Sequence, residues 1–488
     1  MVAYEERRMR HRILATLIPL AAATFATAAE PEWPQFRGPN GSGIAAATAR
    51  PPVKFGPDKN VKWKVAAPSG ASSPVVADDK LFLTAFDGGK LWTLAYSTAD
   101  GKELWRTEAP AKTLEVYHKT EGTPAASSVA TDGKVVVAYF GSAGLFAYDF
   151  AGKELWRRGM PVPRTAGDFG SGVSPILADG LVVLQRDELG GSKILAFDAA
   201  TGAPKWEKKR QAPTSYSTPM VWEADGVKQV VTAGFGRMVS YDLKTGDEVW
   251  TIQGMPCTCC TTPVAGDGML YFAGWSPGDA EDKDFRLPSF DDLLKQGDDD
   301  KDGKISKAEC GKTWLGSFFE AHDSNRDGFL TRQEWEYSLR YMGTSKNAAF
   351  AVKAGGKGDI TKTHVVWRKT KGLPYVPSGV LAGGQYFLVK DGGLCTAYDA
   401  KTGKEAYAME RAAAQGRYYA SPVVADGRIY LVTLDDGTFT VLKAGTDAPE
   451  VVVKNPKLGE RTAATPAIVG DTLYVRTAKT LWAFAEKK

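Results

Sequence analysis

The order of apolar and polar positions repeats along nearly the whole chain. A Ser/Thr-Pro step leads into two to four apolar residues, a Gly/Asp turn, an alternating strand and a second turn. A strand with an aromatic-Asp pair follows, running into Thr-Gly-Lys and Trp. Alternation with period two marks half-buried strands, and the Gly/Asp clusters between them mark tight turns. The second half of the unit is seen at Leu94-Ala95-Tyr96 to Trp105 and at Phe146-Ala147-Tyr148-Asp149 to Trp156. It recurs at Leu195-Ala196-Phe197-Asp198 to Trp206, Val239-Ser240-Tyr241-Asp242 to Trp250, and Thr396-Ala397-Tyr398-Asp399 to Tyr407. First halves begin at Ser73, Thr123, Ser174, Thr218, Thr262, Ser378, Ser421 and Thr465, spaced 43 to 51 residues apart save for one step of 116. A unit of roughly 40–50 residues with four short strands is one propeller blade. The pattern therefore predicts an all-β, eight-bladed β-propeller with an insertion in blade five.

The last unit has strands around 467–469, 472–476 and 481–484 and stops before its outermost strand. Val61-Lys62-Trp63-Lys64-Val65 matches that missing strand, so it is expected to complete blade eight and remove the edges of an open ring. The start of the chain reads differently. Arg7, Arg8, Arg10 and Arg12 precede an apolar run from Ile13 to Phe25 and the small-residue step Ala26-Thr27-Ala28. That order is a secretory signal peptide, with an apolar stretch too short to span a bilayer. The expected organisation is a signal peptide at 1–29, a lead-in at 30–58, propeller at 59–275, an inserted module at 276–346 and the rest of the propeller at 347–488. Such a leader implies a periplasmic or secreted protein in an oxidising, calcium-rich compartment. No cysteine lies near the cleavage step, so no lipid anchor is expected.

The insertion carries the clearest chemistry. It reads Asp298-Asp299-Asp300-Lys301-Asp302-Gly303-Lys304-Ile305-Ser306-Lys307-Ala308-Glu309, then Asp323-Ser324-Asn325-Arg326-Asp327-Gly328-Phe329-Leu330-Thr331-Arg332-Gln333-Glu334. Calcium takes six to eight hard oxygens, and the EF-hand spacing wraps them round one point. Asp298, Asp300, Asp302 and Asp323, Asn325, Asp327 stand at positions one, three and five of the two loops. Lys304 and Phe329 offer backbone carbonyls at the seventh, and Ser306 and Thr331 fit the ninth through water. Glu309 and Glu334 supply two oxygens each at the twelfth. Gly303 and Gly328 allow the sharp turn at the sixth, and Ile305 and Leu330 should pair the loops back to back. Flanking helices are expected from Phe290, Leu293 and Leu294 after the cap Ser289, from Trp314, Leu315, Phe318 and Phe319, and from Trp335, Leu339 and Met342. One match to this spacing arises by chance in an acidic loop; two complete ones with helices leave that reading little room.

A net charge of +4 with no Lys/Arg block interleaved with aromatics gives nucleic acid no electrostatic footprint. In a ring of blades, the residues before each Ser/Thr-Pro step line the channel mouth. The polar ones are His118, Glu121, Asp168, Tyr216, Tyr375, Arg417, Tyr418 and Arg461. Polar and aromatic groups converging on a concavity are a default binding site, although every propeller channel needs polar groups to solvate it. Cys257-Thr258-Cys259-Cys260 is the oddest feature of this rim. With Cys310 and Cys395 the count is five, which is odd. The cysteine run is open to three readings: a vicinal Cys259–Cys260 disulfide, a soft-metal thiolate site, or a disulfide pinning the loop to Cys395.

Over residues 59–487 the repeated aromatic-Asp-x-x-Thr-Gly-Lys-x-x-Trp phrase resembles the pyrroloquinoline-quinone-like propeller repeat family. The resemblance implies that Trp105, Trp156, Trp206, Trp250 and Trp367 dock beside the Thr-Gly turn of the adjoining blade. The family's quinoprotein alcohol dehydrogenases set a vicinal disulfide against the quinone ring, with a calcium ion and a catalytic Asp nearby. By that likeness Asp168, Cys259, Cys260 and Arg417 are the candidate cofactor-binding residues, for pyrroloquinoline quinone. Several departures weigh against it: the chain is short for that group, the cysteine pair falls in the fifth unit, and no Trp is evident among the mouth residues. The favoured reading is thus an exported calcium-binding scaffold for a protein partner or small ligand at the mouth. A quinone-dependent alcohol or sugar dehydrogenase is the alternative.

Overall fold

The computed structural model describes residues 32–189, 191–224, 226–277, 287–313, 315–316, 319–323, 325, 327–343 and 345–486. The leader expected at 1–29 lies outside them. Eight four-stranded antiparallel blades follow one another round a ring, blade four gaining a fifth strand. Blade one is Val75–Ala77, Lys80–Asp87, Lys90–Ser97 and Glu103–Ala109. Blades pack face to face, so middle strands are covered on both sides. In blade two, Val136–Phe140 and Gly144–Tyr148 are buried at every position, whereas the outer strand Glu154–Arg158 fully buries only Trp156. Blade eight is closed as expected: Val61–Ala66 pairs antiparallel with Thr480–Phe484, Trp63 opposite Ala483.

The Trp-to-turn seams are real. Indole Nε1 of Trp63, Trp105, Trp156, Trp206 and Trp367 donates to the carbonyls of Thr98, Phe150, Ala199, Leu243 and Ala400 in the next blade, at 2.9–3.1 Å. Each ring lies against the turn glycine, Gly101, Gly152, Gly202, Gly246 or Gly403, where a Cβ would come within 2.5–2.7 Å of it. These glycines have φ between 67° and 83°. Glycine is therefore required both by the left-handed turn and by the close approach of the indole. Trp250 corrects the expectation. Its Nε1 donates to Gln229 Oε1 within its own blade at 2.8 Å, and its ring packs edge-on to Trp222. Blade five has no short glycine turn of this kind to receive it; Gly358–Asp359 from the longer connection between Lys353 and Val365 instead runs parallel beside Trp250 and Thr251 as the extra strand of blade four.

The Ser/Thr at the start of each blade forms a second set of seams. Backbone N–H groups donate to the neighbour's hydroxyl from Ser73 to Ser128, Ser128 to Ser174, Ser174 to Thr218, Thr262 to Ser378, Ser378 to Ser421, Ser421 to Thr465, and Thr465 back to Ser73. Blade two departs from the predicted register, since Ser128 holds this place and Thr123-Pro124 belongs to the mouth loop. Among the described residues the ring is broken only between blades four and five, where the buried Ser217, Thr261 and Thr262 hydroxyls have no hydrogen-bond partner.

The lead-in crosses the channel. It bonds to Val76 through Trp33, to Thr131 through Pro34, to Val221 through Asn40, to Gly379 through Arg37, to Val424 through Gly43 and Ala45, and to Gly470 through Arg50. Six of the eight blades are thereby tied to one segment. The helical module leaves blade five between its strands Met269–Gly274 and Ala348–Lys353. No disulfide joins the five cysteines, which corrects both disulfide readings. Cys395 lies buried in blade six, and the Cys259 thiol donates to the carbonyl of Gly234 at 3.0 Å.

Candidate functional site

The module is built as its spacing predicts. Helix α1 (Phe290–Gly297) is capped by Ser289, whose side chain accepts from the Asp292 N–H. A four-residue α2 (Lys307–Cys310) and α3 (Phe319–His322) stand where one linking helix was expected, and α4 (Arg332–Met342) closes the pair. Trp314 and Phe318 lie outside the described residues. Ile305 and Leu330 face each other in a two-residue β-bridge between the loops. Phe290, Leu293, Ile305, Leu315, Phe319, Leu330 and Trp335 form a small core of their own.

The two loops mirror each other. Glu309 accepts from the N–H groups of Asp299 (2.9 Å) and Ser306 (2.8 Å); Glu334 accepts from those of Asn325 (3.3 Å) and Thr331 (3.0 Å). Donation from Ser306 first, then from Asp299 and Asp300, holds the Glu309 carboxyl down at about 2. Asp298, Asp300 and Asp302 bring their carboxylate oxygens within 4.8 Å of one another. Asp323 is 2 % exposed, and its Oδ1 has no hydrogen-bond partner. Converged like charges and an orphaned buried carboxylate oxygen are costly without a cation. This all-oxygen donor set, with Gly303 and Gly328 at positive φ, fits calcium.

At the mouth, Glu121 is the hub. Its Oε1 accepts from Arg417 at 3.1 Å, and its Oε2 from Arg461 and Tyr419, both at 2.8 Å. Burial works to raise its pKa, but hydrogen bonds from Arg461, Tyr419 and Arg417 outweigh it and hold the group at about 2. Arg417 is further paired with Asp435 at 2.7 Å. Residues scattered over 340 positions thus meet in one network joining blades two, seven and eight. Tyr418, expected at the mouth, is instead buried with its hydroxyl on the Ala414 carbonyl; its neighbour Tyr419 takes the channel side. A channel cavity of about 230 Å³ lies inside this rim, walled by Phe36, Glu121, Phe169, Tyr216, Tyr375 and Tyr419 together with Cys260 and several of the seam hydroxyls.

A second cavity, also about 230 Å³, opens between the helical module and the ring. His322, Glu334, Tyr337 and Ser338 line one side; Phe169, Leu189, Pro213, Tyr216, Phe235 and Tyr375 line the other. Phe169, Tyr216 and Tyr375 border both cavities, so the two lie side by side. His322 is held neutral, its pKa lowered by burial to about 4. Phe169, Trp275, Tyr337 and Tyr375 are each about 40 % exposed, and Trp275 meets Tyr375 edge-on at 5.6 Å. Phe169 falls in the segment before Ser174 that was expected at the mouth but was not singled out, and Trp275 was missed, although an aromatic within a polar loop is a signal for such a surface.

The four candidate cofactor residues are not gathered at one point. Cys260 lines the channel cavity and Cys259 is buried behind it. Arg417 is engaged on the rim, and Asp168 sits in the turn Ala166–Asp168 without lining either cavity. Burial raises both the Cys259 and Cys260 thiols above their usual range. The channel's one lining carboxylate, Glu121, is spent on two arginines and a tyrosine. These residues do not fit a quinone with its calcium ion. Nor do the cysteines form a soft-metal cluster: among the described residues, the only grouping of three candidate ligands is in the first EF-hand loop.

Eight such blades with tryptophan-locked seams, interrupted by an EF-hand pair, define a pyrroloquinoline-quinone-like repeat propeller carrying a calcium-type module. The family model described as outer membrane protein assembly factor BamB matches residues 53–170, 95–256 and 357–485, and the chain belongs to that family. An EF-hand model matches 290–309 and 315–336. Curated relatives include the outer membrane protein assembly factors BamB of Burkholderia pseudomallei, 25% identical over 210 residues, and of Bordetella pertussis, 26% identical over 210 residues. These matches cover 41% of this chain and 48% and 46% of the relatives, so the chain spans about half the length of the curated relatives it matches. Among solved structures, BamB from Moraxella catarrhalis aligns at a TM-score of 0.52 and 14% identity, over 89% of this chain and 99% of that one. A europium-containing methanol dehydrogenase aligns at 0.52 and 11%, over 93% and 98%. At these identities the structural likenesses establish the fold alone.

Proposed function

We propose that this chain is an exported, calcium-loaded propeller scaffold that holds a protein partner across its channel mouth, in the periplasm or outside the cell. The observation that carries this reading is the cleft between the helical module and the ring. Three aromatic residues that line it, Phe169, Tyr337 and Tyr375, stand about 40 % exposed, with Trp275 edge-on to Tyr375, and clustered exposed apolar surface marks interaction sites. Membership in a family described by an assembly factor agrees with protein binding. Calcium is held by Asp298, Asp300, Asp302, Lys304, Ser306 and Glu309 in one loop, and by Asp323, Asn325, Asp327, Phe329, Thr331 and Glu334 in the other. The ion's work here is to fix one wall of the cleft. Among the described residues no helix is long and apolar enough to cross a membrane.

The test is site-specific photocrosslinking in the expressing cell from position 337, on the cleft, and from position 205, on an outer strand. Adducts to one polypeptide from Tyr337, absent from Lys205 and lost in Phe169→Ala with Tyr375→Ala, support the scaffold. Purified protein that instead retains stoichiometric pyrroloquinoline quinone and reduces dye with alcohols or sugars overturns it.

A further inference from the structure

Arg37 has no exposed surface, and its backbone adopts a left-handed conformation at φ 63°. Nη2 donates to the Gly379 carbonyl at 2.6 Å, while Nε and Nη1 have no hydrogen-bond partner. Arg476 provides the contrast. It is equally buried, yet Nη1 donates to Ser72 O, Ser72 Oγ and Thr84 O, and Nη2 to Pro68 O. Carbonyl oxygens surround the one guanidinium and scarcely touch the other. Among the described residues no carboxylate acts on Arg37; its titratable neighbour is the Tyr386 phenol, which burial holds neutral. Burial lowers its pKa only to about 10, so it remains a cation at neutral pH.

The surroundings are rich in hydroxyls. Tyr386 lies over Gly379 so closely that a Cβ there would be 2.5 Å from its hydroxyl oxygen. This explains why blade six alone has Gly where the expected blade-start step has Pro. The Tyr386 hydroxyl has no partner, nor has that of Tyr271, whose ring packs on it at 5.4 Å. Thr262 donates its N–H to Ser378, the residue before Gly379, and the Thr261 and Thr262 hydroxyls also lack partners. A buried cation with two unpaired donor nitrogens beside unused O–H donors repels metal ions. Water would satisfy the donors but leave the charge uncompensated, and isolated buried charge is strongly unfavourable. We propose that the Arg37 guanidinium and the Tyr386 hydroxyl bind a small monovalent anion, chloride or another halide, sealed between the lead-in and blades five and six. The anion ties the segment that crosses the channel to the ring.

The experiment is diffraction from crystals grown in bromide, with melting followed in sodium chloride and in sodium gluconate at matched ionic strength. The expected results are an anomalous peak in contact with Arg37 Nε or Nη1 and Tyr386 Oη, and a melting temperature that climbs with the logarithm of chloride concentration. That slope should shrink in Tyr386→Phe and vanish in Arg37→Met. Should Arg37→Met fail to fold, the bromide map and the Tyr386→Phe slope decide. No anomalous peak at Arg37, or equal melting in chloride and gluconate, overturns the proposal.

Discussion

The backbone N–H of Thr465 donates to the hydroxyl of Ser73 at 2.9 Å, across 392 positions of chain. This bond joins the start of the last blade to the start of the first, within the hydrogen-bonded ring around the channel. Ser73→Ala removes the acceptor and leaves a buried N–H unsatisfied, at an expected cost of about 1–3 kcal/mol. Ser73→Thr should stay near wild type, since Thr holds this place in other blades. Urea denaturation reads the difference; an unchanged midpoint in Ser73→Ala would mean that this seam does not stabilise the ring.

The tryptophan seams make a second, separable prediction. A Cβ on Gly202 would lie 2.6 Å from the Trp156 ring, whereas one on Gly226 meets nothing within 4 Å, and both have φ near 70°. Alanine is therefore strained at both positions but collides only at the first. Gly202→Ala should lose about 1–3 kcal/mol more than Gly226→Ala. Equal losses in thermal melts would reduce the effect to backbone conformation alone.

Ring closure, blade number and the EF-hand loops were legible because each follows from a spacing in the sequence. Asp-x-Asp-x-Asp-Gly fixes a loop by itself, and the Ser/Thr-Pro interval counts blades. Misses arose where one blade departs from its siblings. Trp250 carries the seam residue but faces a blade whose turn has been replaced, so its indole turned inward to Gln229. Ser128 does the work of the Ser/Thr-Pro step without a proline, and Thr123-Pro124 imitates it five residues early. Tyr418 and Tyr419 are adjacent, and only tertiary packing decides which one reaches Glu121. That the insertion stands beside the mouth follows from its place between the second and third strands of blade five; which side chains wall the cleft was not legible, because they come from the insertion and from loops of separate blades.

Calcium loading should be separable from the ring's integrity, because the module has its own core and joins blade five by two strands. Glu309→Gln with Glu334→Gln should abolish calcium binding in isothermal titration while the propeller's melting transition is kept. Loss of the ring transition along with calcium would make the ion structural for the whole fold.

Glu115 gives the chain a dependence on pH. Its Oε2 accepts from the Ser171 N–H at 2.9 Å and hydroxyl at 2.7 Å, and Oε1 is buried without a partner. Burial pushes the carboxyl up from 4.5 to about 7, against the Ser171 bonds and the charge of Arg186. The folded state thus keeps a proton that the unfolded chain releases above 4.5. The stability this confers is complete below that value and falls as pH rises through 7. Wild-type melting temperature should decline between about pH 5 and pH 8, and Glu115→Gln should flatten that decline. Identical profiles would assign the decline to other groups.

The strand at Val61–Ala66 is made ahead of every blade, yet its partner is the last strand of the ring, Thr480–Phe484. The lead-in before it rests on six blades, from blade one to blade eight, and its contacts are complete only when blade eight is made. The strand at 61–66 therefore waits, with an unpaired edge, until residues 480–484 have been synthesised. Such distant pairing slows folding and leaves an aggregation-prone edge exposed in the meantime. A nascent chain of this design has reason to be shielded during biogenesis, and a circular permutant that begins at Ala67 and carries residues 32–66 at its new C-terminus should fold faster than the natural order.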